Sequence, residues 1–208
     1  MRLASIQYRL CILALCAGLM ACAAKTSVSG TWAADNKAVG PYANLLVLAV
    51  AESLNNRMSF ENALVDNLQN DNTTARPSHQ VLGPELELSE ENIRQAIEST
   101  DGDAVLIIRL LSQEITPVEV PERVDTSASV KGGNPVDFFR YDYEDIVSPE
   151  YLKAKRTVTL SSELYESGSQ ALIYSINSTA YDRESTAEII ADLSKAIAKQ
   201  LRRDGLTR

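Results

Sequence analysis

Asn44-Leu45-Leu46-Val47-Leu48-Ala49-Val50-Ala51 and Ala104-Val105-Leu106-Ile107-Ile108-Arg109-Leu110-Leu111 are the two stretches on which the fold turns. Each is a short, nearly unbroken apolar run between turn residues. A strand with one wet face alternates apolar and polar side chains. A continuous run marks a strand buried on both faces, as in the parallel part of an α/β sheet.

Helical patterns separate the two runs. Phe60, Ala63, Leu64 and Leu68 recur at helical spacing after a cap expected at Asn55 or Asn56, and Asn70-Asp71-Asn72 ends that helix. Thr74 to Val81 supplies a short strand broken by Pro77. Ser89 then caps a second helix, with Glu90 and Glu91 in the turn where the dipole favours acids and Ile93, Ala96 and Ile97 as its buried stripe. Asp101-Gly102 stops it.

Further on the period changes to two. Val158, Leu160 and Leu164 alternate with Thr157, Thr159, Ser161 and Glu163; after a loop at Glu166-Ser167-Gly168-Ser169, Leu172, Tyr174 and Ile176 repeat the pattern. These are antiparallel strands with one face partly wet. Ser185 with Glu188 forms a capping box, and Ile190, Leu193, Ile197 and Leu201 line the last helix up to Gly205. The order β-α-β-α-β, long insertion, β-hairpin, α predicts a single α/β domain over 44–208. It has a mixed sheet with helices packed on it.

The insertion, about 113–155, breaks the rhythm with Pro117, Pro121, Pro135, Pro149 and the Gly132-Gly133 pair. It reads as a loop of a length that is usually functional or mobile. Phe138, Phe139, Tyr141 and Tyr143 cluster within it. Aromatics in a polar segment anchor partners because they bury much area at low entropic cost. The competing reading is that they cover the open face of the sheet. Asp142, Glu144, Asp145 and Glu150 lie beside them. Two of these held about 5–9 Å apart would suit acid–base hydrolysis of a glycoside; a Ca²⁺ site or a solvated acidic loop are the alternatives.

The amino terminus carries an address. Arg2 and Arg9 precede an uncharged run from Leu10 to Ala24, too short for a spanning helix and ending in small residues. Within it Leu19-Met20-Ala21-Cys22 resembles a bacterial lipobox. That resemblance implies a signal peptide over 1–21, acylation of Cys22, and a lipidated tether over 22–43, whose end is expected to pack on the domain through Trp32 and Tyr42 or, alternatively, to present them to a partner. Ala23, where an Asp resembles an inner-membrane retention signal, points to the outer membrane of a Gram-negative bacterium, with the domain facing the periplasm. With Cys11 and Cys16 removed, no free thiol remains in the mature chain.

Composition narrows the function classes. The 208 residues are 45% hydrophobic and 23% charged, an ordinary globular mix, and the net charge of −8 at a pI of about 4.8 argues against nucleic acid. The turn after the first apolar run, Ala51 to Asn56, holds no glycine to cradle a phosphate. His79 is the only histidine. It is expected at a strand edge or in solvent, with no serine–acid spacing around it to support a triad. No cofactor, metal or catalytic residue is expected.

The pattern Arg57-x-x-Phe60-Glu61, Asp103-Ala104-Val105-Leu106-Ile107, Leu160-x-x-x-Leu164-Tyr165, the Ser175 strand and a closing Asp204-Gly205-Leu206 resembles a group of uncharacterised periplasmic lipoproteins. Their α/β domain is similar to the amino-terminal domain of the Tol-system propeller protein and to the core of the curli-secretion lipoprotein. The resemblance implies a non-catalytic binding, assembly or trafficking role in the envelope, with an envelope protein or a second copy as partner besides the bilayer. The alternative is a carboxylate-based hydrolase of envelope glycans. The insertion shows no apolar–polar alternation of about ten residues, so pore formation is not expected.

Overall fold

The computed structural model describes residues 25–33, 40–51, 53–83, 89–121, 123–130, 141–148 and 151–208. The described chain forms an α/β domain around a mixed sheet of six strands. These are β1 (Thr26–Trp32), β2 (Asn44–Val50), β3 (Thr74–Pro77), β4 (Ala104–Val120), β7 (Tyr151–Glu166) and β8 (Leu172–Arg183), in the order β1-β8-β7-β4-β2-β3. β2 runs parallel to β3 and to β4, and the remaining pairs are antiparallel. A separate two-stranded hairpin, β5 (Arg123–Val130) with β6 (Tyr141–Ser148), lies between β4 and β7 in the chain.

Four helices pack on this sheet: α1 (Leu54–Leu68), α2 (Ser78–Leu82), α3 (Glu90–Ser99) and α4 (Thr186–Arg203). β2 and β4 explain why both faces need cover. Alternate residues of each go to opposite cores. Leu45, Val47, Ala49, Leu106 and Ile108 meet Phe60 and Leu64 of α1 and Leu193, Ile197 and Leu201 of α4. Leu46 and Val105 meet Ala96 and Ile97 of α3, with Val81 and Leu82 of α2. Each large side chain so buried contributes about 1.5–3 kcal/mol. Asn67 Nδ2 donates to Ser194 Oγ (3.2 Å) and ties α1 to α4.

The helix signals hold with one change. Ser89 caps α3 and Ser185 caps α4, their hydroxyls accepting from Asn92 N and Glu188 N; Glu188 reaches back to Glu184 N. The cap of α1 is Ser53, accepting from Asn56 N, rather than Asn55 or Asn56, which lie inside the first turn.

Three segments differ from the sequence reading. Thr26–Trp32, read as tether, is the edge strand β1 on β8. Trp32 stands edge-on to Tyr174, with ring centroids 5.1 Å apart, and Tyr42 is buried in the larger core. Gly30 makes room for the Tyr174 ring, because a Cβ there would meet the Tyr174 hydroxyl and ring edge. Residues 113–120 and 151–155, read as loop, continue β4 and β7 as a paired ribbon, and β5–β6 adds a second hairpin. Two-stranded pairing leaves each strand a free edge, which is why Pro117 is tolerated opposite Ala154. Third, the end of the strand expected over Thr74 to Val81 is instead the helix α2, Ser78–Leu82, and its His79 is buried rather than at a strand edge or in solvent.

Candidate functional site

Strand order alone marks one place on the sheet. From β2 the chain crosses through α1 to β3 on the outside. From β3 it returns through α2 and α3 to β4 on the other flank of β2. The crossover that leaves β2 and the one that enters β4 therefore run in opposite directions over opposite faces. Such a switch point leaves a crevice beyond the carboxyl ends of the two strands, where open α/β sheets bind ligands.

The structure has a cavity there of about 530 Å³. Its walls are Ala49, Val50 and Ala51 of β2 and its exit, Ile108 and Leu110 of β4, Val158 and Leu160 of β7, Phe60 of α1, and Ile189 and Ile190 of α4. That volume and apolar lining are those of a small-molecule site, for which about 300–1,000 Å³ is usual. Asn56, Gln113, Arg156 and Thr186 supply the polar groups. Asn56 and Thr186 stand in the first turns of α1 and α4. Arg156 donates from Nη1 to the carbonyl of Glu184 (3.2 Å), just before α4 begins. Arg109 also lines the cavity, and its guanidinium lies 3.6 Å from Glu163.

Beside this crevice a buried polar cluster fixes the carboxyl end of β2. Glu61 and Ser78 are fully buried, and Arg57 and His79 are nearly so. Glu61 Oε1 accepts from Ala49 N (3.0 Å), Arg57 Nε (3.3 Å) and Ser78 Oγ (2.6 Å). Its Oε2 accepts from His79 N (3.0 Å) and pairs with His79 Nδ1 (2.7 Å). Arg57 Nη2 also donates to Ser78 Oγ (2.9 Å). A carboxylate buried this deeply persists only when its lone pairs are satisfied. Ser78 gives its proton to the carboxylate and not to the imidazole, so the trio lacks the order of a nucleophilic triad. It is a clamp joining α1, β2 and α2, and it holds Ala49 and Phe60 against the cavity.

A second clamp closes the far end of the domain. Tyr174 donates to Asp204, and Gln200 Nε2 donates to both the Tyr174 hydroxyl (3.1 Å) and Asp204 (2.7 Å). Burial, and then the bond to Asp204, raise the Tyr174 pKa. Burial works to raise that of Asp204, but hydrogen bonds from Tyr174, Arg203 and Gln200 prevail and lower it. On the α3 side of the sheet the Tyr165 hydroxyl donates to Glu163 (2.6 Å), which with burial pushes its pKa up to about 12.

The residues singled out from sequence fall elsewhere. Cys22, Phe138 and Phe139 lie outside the described residues. Tyr141 and Tyr143 lie on β6, at register positions opposite Val130 and Ala128 of β5. They belong to a strand and not to a loop. Asp142, Glu144 and Asp145 are on the same strand, opposite Ser129, Ser127 and Thr126, and Glu150 lies outside the described residues. Sequence reasoning misses the crevice. The one signal for it is the pair of apolar runs in β2 and β4, since a turn without glycine gives no sign of an apolar site. Among the described residues no group of three or more His, Cys, Asp or Glu is placed to hold a metal, and no helix is long and apolar enough to cross a membrane.

No protein-family model matches the chain, and no curated protein matches it. Among solved structures, a dodecamer of a single-substitution variant of PelC from Paraburkholderia phytofirmans is similar at 15% identity and a TM-score of 0.47, covering 88% of this chain and 99% of that one. A second PelC dodecamer from the same organism is similar at 15% identity and a TM-score of 0.44, with the same coverage. A PDZ domain protein from Parabacteroides distasonis gives 10% identity and a TM-score of 0.40, over 84% of this chain and 36% of that one.

Proposed function

We propose that the chain is a periplasmic lipoprotein of the Gram-negative outer membrane, acylated at Cys22, and a non-catalytic binding component of envelope assembly or trafficking. It belongs, in this reading, with the uncharacterised lipoproteins that its core pattern resembles. The observation that carries the binding role is the crevice at the β2/β4 switch point. Its described lining contains no carboxylate, histidine, cysteine, serine or lysine. A site of that composition offers an apolar wall and a few fixed hydrogen-bonding groups, which is binding chemistry. Of its two arginines, Arg109 turns its guanidinium to Glu163 on the α3 side of the sheet, and Arg156 supplies a charge that orients an anion but does not exchange protons near neutral pH.

The anchor follows from Leu19-Met20-Ala21-Cys22. One acyl chain holds a protein only marginally, at about 0.8 kcal/mol per buried CH₂, and the several chains of a bacterial lipoprotein hold it durably. The contact with an envelope protein or a second copy is assigned to Phe138, Phe139, Tyr141 and Tyr143. The test is metabolic labelling with palmitate followed by fractionation. The parent chain should carry label and sediment with outer membrane. Cys22→Ser should leave an unlabelled, uncut precursor, and normal labelling of that variant would sink the anchor.

A further inference from the structure

We propose that the crevice takes a single-chain amphiphile, an apolar chain of acyl type carrying a carboxylate or phosphate head. The inference rests on the reading of the crevice as a binding site and adds the class of its ligand.

The polarity of the cavity is ordered. Ile108, Val158, Leu160, Phe60 and Ile189 form its apolar wall on the face shared by α1 and α4. All five are buried, so the wall is preformed. The polar residues Asn56, Gln113, Arg156 and Thr186 belong to the first helical turns and to the ribbon as it leaves the sheet. That is the gradient of an amphiphile, with the chain inside and the head at the mouth.

Charge points the same way. The chain carries −8, yet the described lining of this cavity holds two arginines and no acid. Arg109 turns its guanidinium away to Glu163 on the α3 side of the sheet, which leaves Arg156 as the cation of the mouth. Arg156 spends one N–H on the Glu184 carbonyl, and its fork has five to offer. Two acids at the start of α4 are themselves engaged: Glu184 with Lys153 (3.3 Å), Glu188 with the Glu184 amide. The first turn of α1 contains no acid of its own, so its dipole adds to the attraction for an anion. A low-dielectric cleft lined by one sign of charge focuses that field. Apolar surface continues outward from the mouth: Leu110 is 47% exposed and Val50 48%.

The experiment uses the full chain reconstituted in lipid nanodiscs. It compares an octanoate probe bearing a diazirine with the matching neutral octanol probe, and maps adducts by peptide mass. Label from the octanoate probe should fall on Ile108–Leu110, Arg156–Leu160 and Ile189–Ile190, and the neutral probe should label these more weakly. Leu110→Glu, at a half-exposed position, should lower octanoate labelling about tenfold through lost apolar contact and added repulsion. Arg156→Gln should lower it about tenfold through the lost charge-assisted bond. Both variants should melt like the parent. Competition by octanoate against octyl phosphate then tells a fatty acid from a phosphate-headed lipid.

Equal labelling by the two probes, with Arg156→Gln without effect, would overturn the anionic amphiphile and leave the crevice as a binding site. Labelling that avoids these segments, or ignores Leu110→Glu, would overturn both. Chain-to-chain adducts from the same residues in place of probe adducts would assign the crevice to a second copy and overturn the amphiphile.

Discussion

The two halves of β4 are one strand with two lives. From Ala104 to Ile108 every residue is buried or nearly so, with helices on both faces. From Arg109 to Glu119 nearly every residue is exposed, yet pairing with β7 continues to Val120 opposite Tyr151. The backbone hydrogen bonds are of the same kind in both halves, so they do not make the difference between body and arm. The side chains do. Continuous apolar character demands two covering layers, while Ser112, Gln113, Glu114 and Thr116 ask for none. The irregularity between Leu110 and Ser112 marks the handover, and the crevice opens at that point. Bulges of this kind re-aim a strand and often sit beside sites.

The sharpest way to break the comparison is to remove the same kind of contact from each half. Leu106 is fully buried, and Leu106→Ala should cost about 2–5 kcal/mol of stability. Ile115, 55% exposed on the ribbon, should cost no more than about 0.5 kcal/mol as Ile115→Ala. Urea unfolding of both variants decides it. Equal losses would mean that the arm has a core of its own.

The aromatics between positions 138 and 143 come next. Interface anchors lose about 2 kcal/mol or more each on truncation, so Phe139→Ala with Tyr141→Ala should weaken capture of the partner by more than about 30-fold. Melting should barely change. In a core, Phe→Ala alone would cost about 3–5 kcal/mol, so a large fall in melting temperature that binding merely follows would make these residues structural.

Gly30→Ala asks whether β1 is body or appendage. The new methyl group meets the Tyr174 ring, and overpacking of this sort costs about 1–3 kcal/mol. A variant as stable as the parent would detach β1 from the domain. The smallest effect expected is in acid. The pKa of Asp204 lies below its ordinary 3.8 in the folded protein, so its contribution is present above that range and lost as pH falls through the lowered value. Asp204→Asn should therefore lose less stability than the parent as the pH falls below the ordinary aspartate value of 3.8. Parallel acid curves would remove Asp204 from the account.

Most of the body is legible in the sequence because its signals are local. Apolar runs of fixed length, Ser89 and Ser185 with their first turns, and period-two alternation before and after Gly168 all announce themselves within a dozen residues. What escapes depends on distant partners. Thr26–Trp32 does alternate, with Val28, Gly30 and Trp32 set against Ser27, Ser29 and Thr31. Its small residues resemble a linker until β8 supplies the pairing and Tyr174 explains the glycine. Pro117 and Pro121 read as loop makers because nothing local reveals a ribbon with free edges. His79 reads as solvated because its carboxylate partner lies a helix away at Glu61. The crevice is the least legible feature, since it comes from the placement of β3 outside β2 and not from any motif.

The central claim is that the crevice is occupied in the working protein. It is tested most directly by placing the photoreactive amino acid benzoylphenylalanine at position 110 of the full chain and irradiating intact cells, with Ser29 on the polar face of β1 as the control position. The account predicts adducts from position 110 whose added mass is that of a small amphiphile, and none of that mass from position 29. Absence of any adduct at 110, or the same products from both positions, would contradict it.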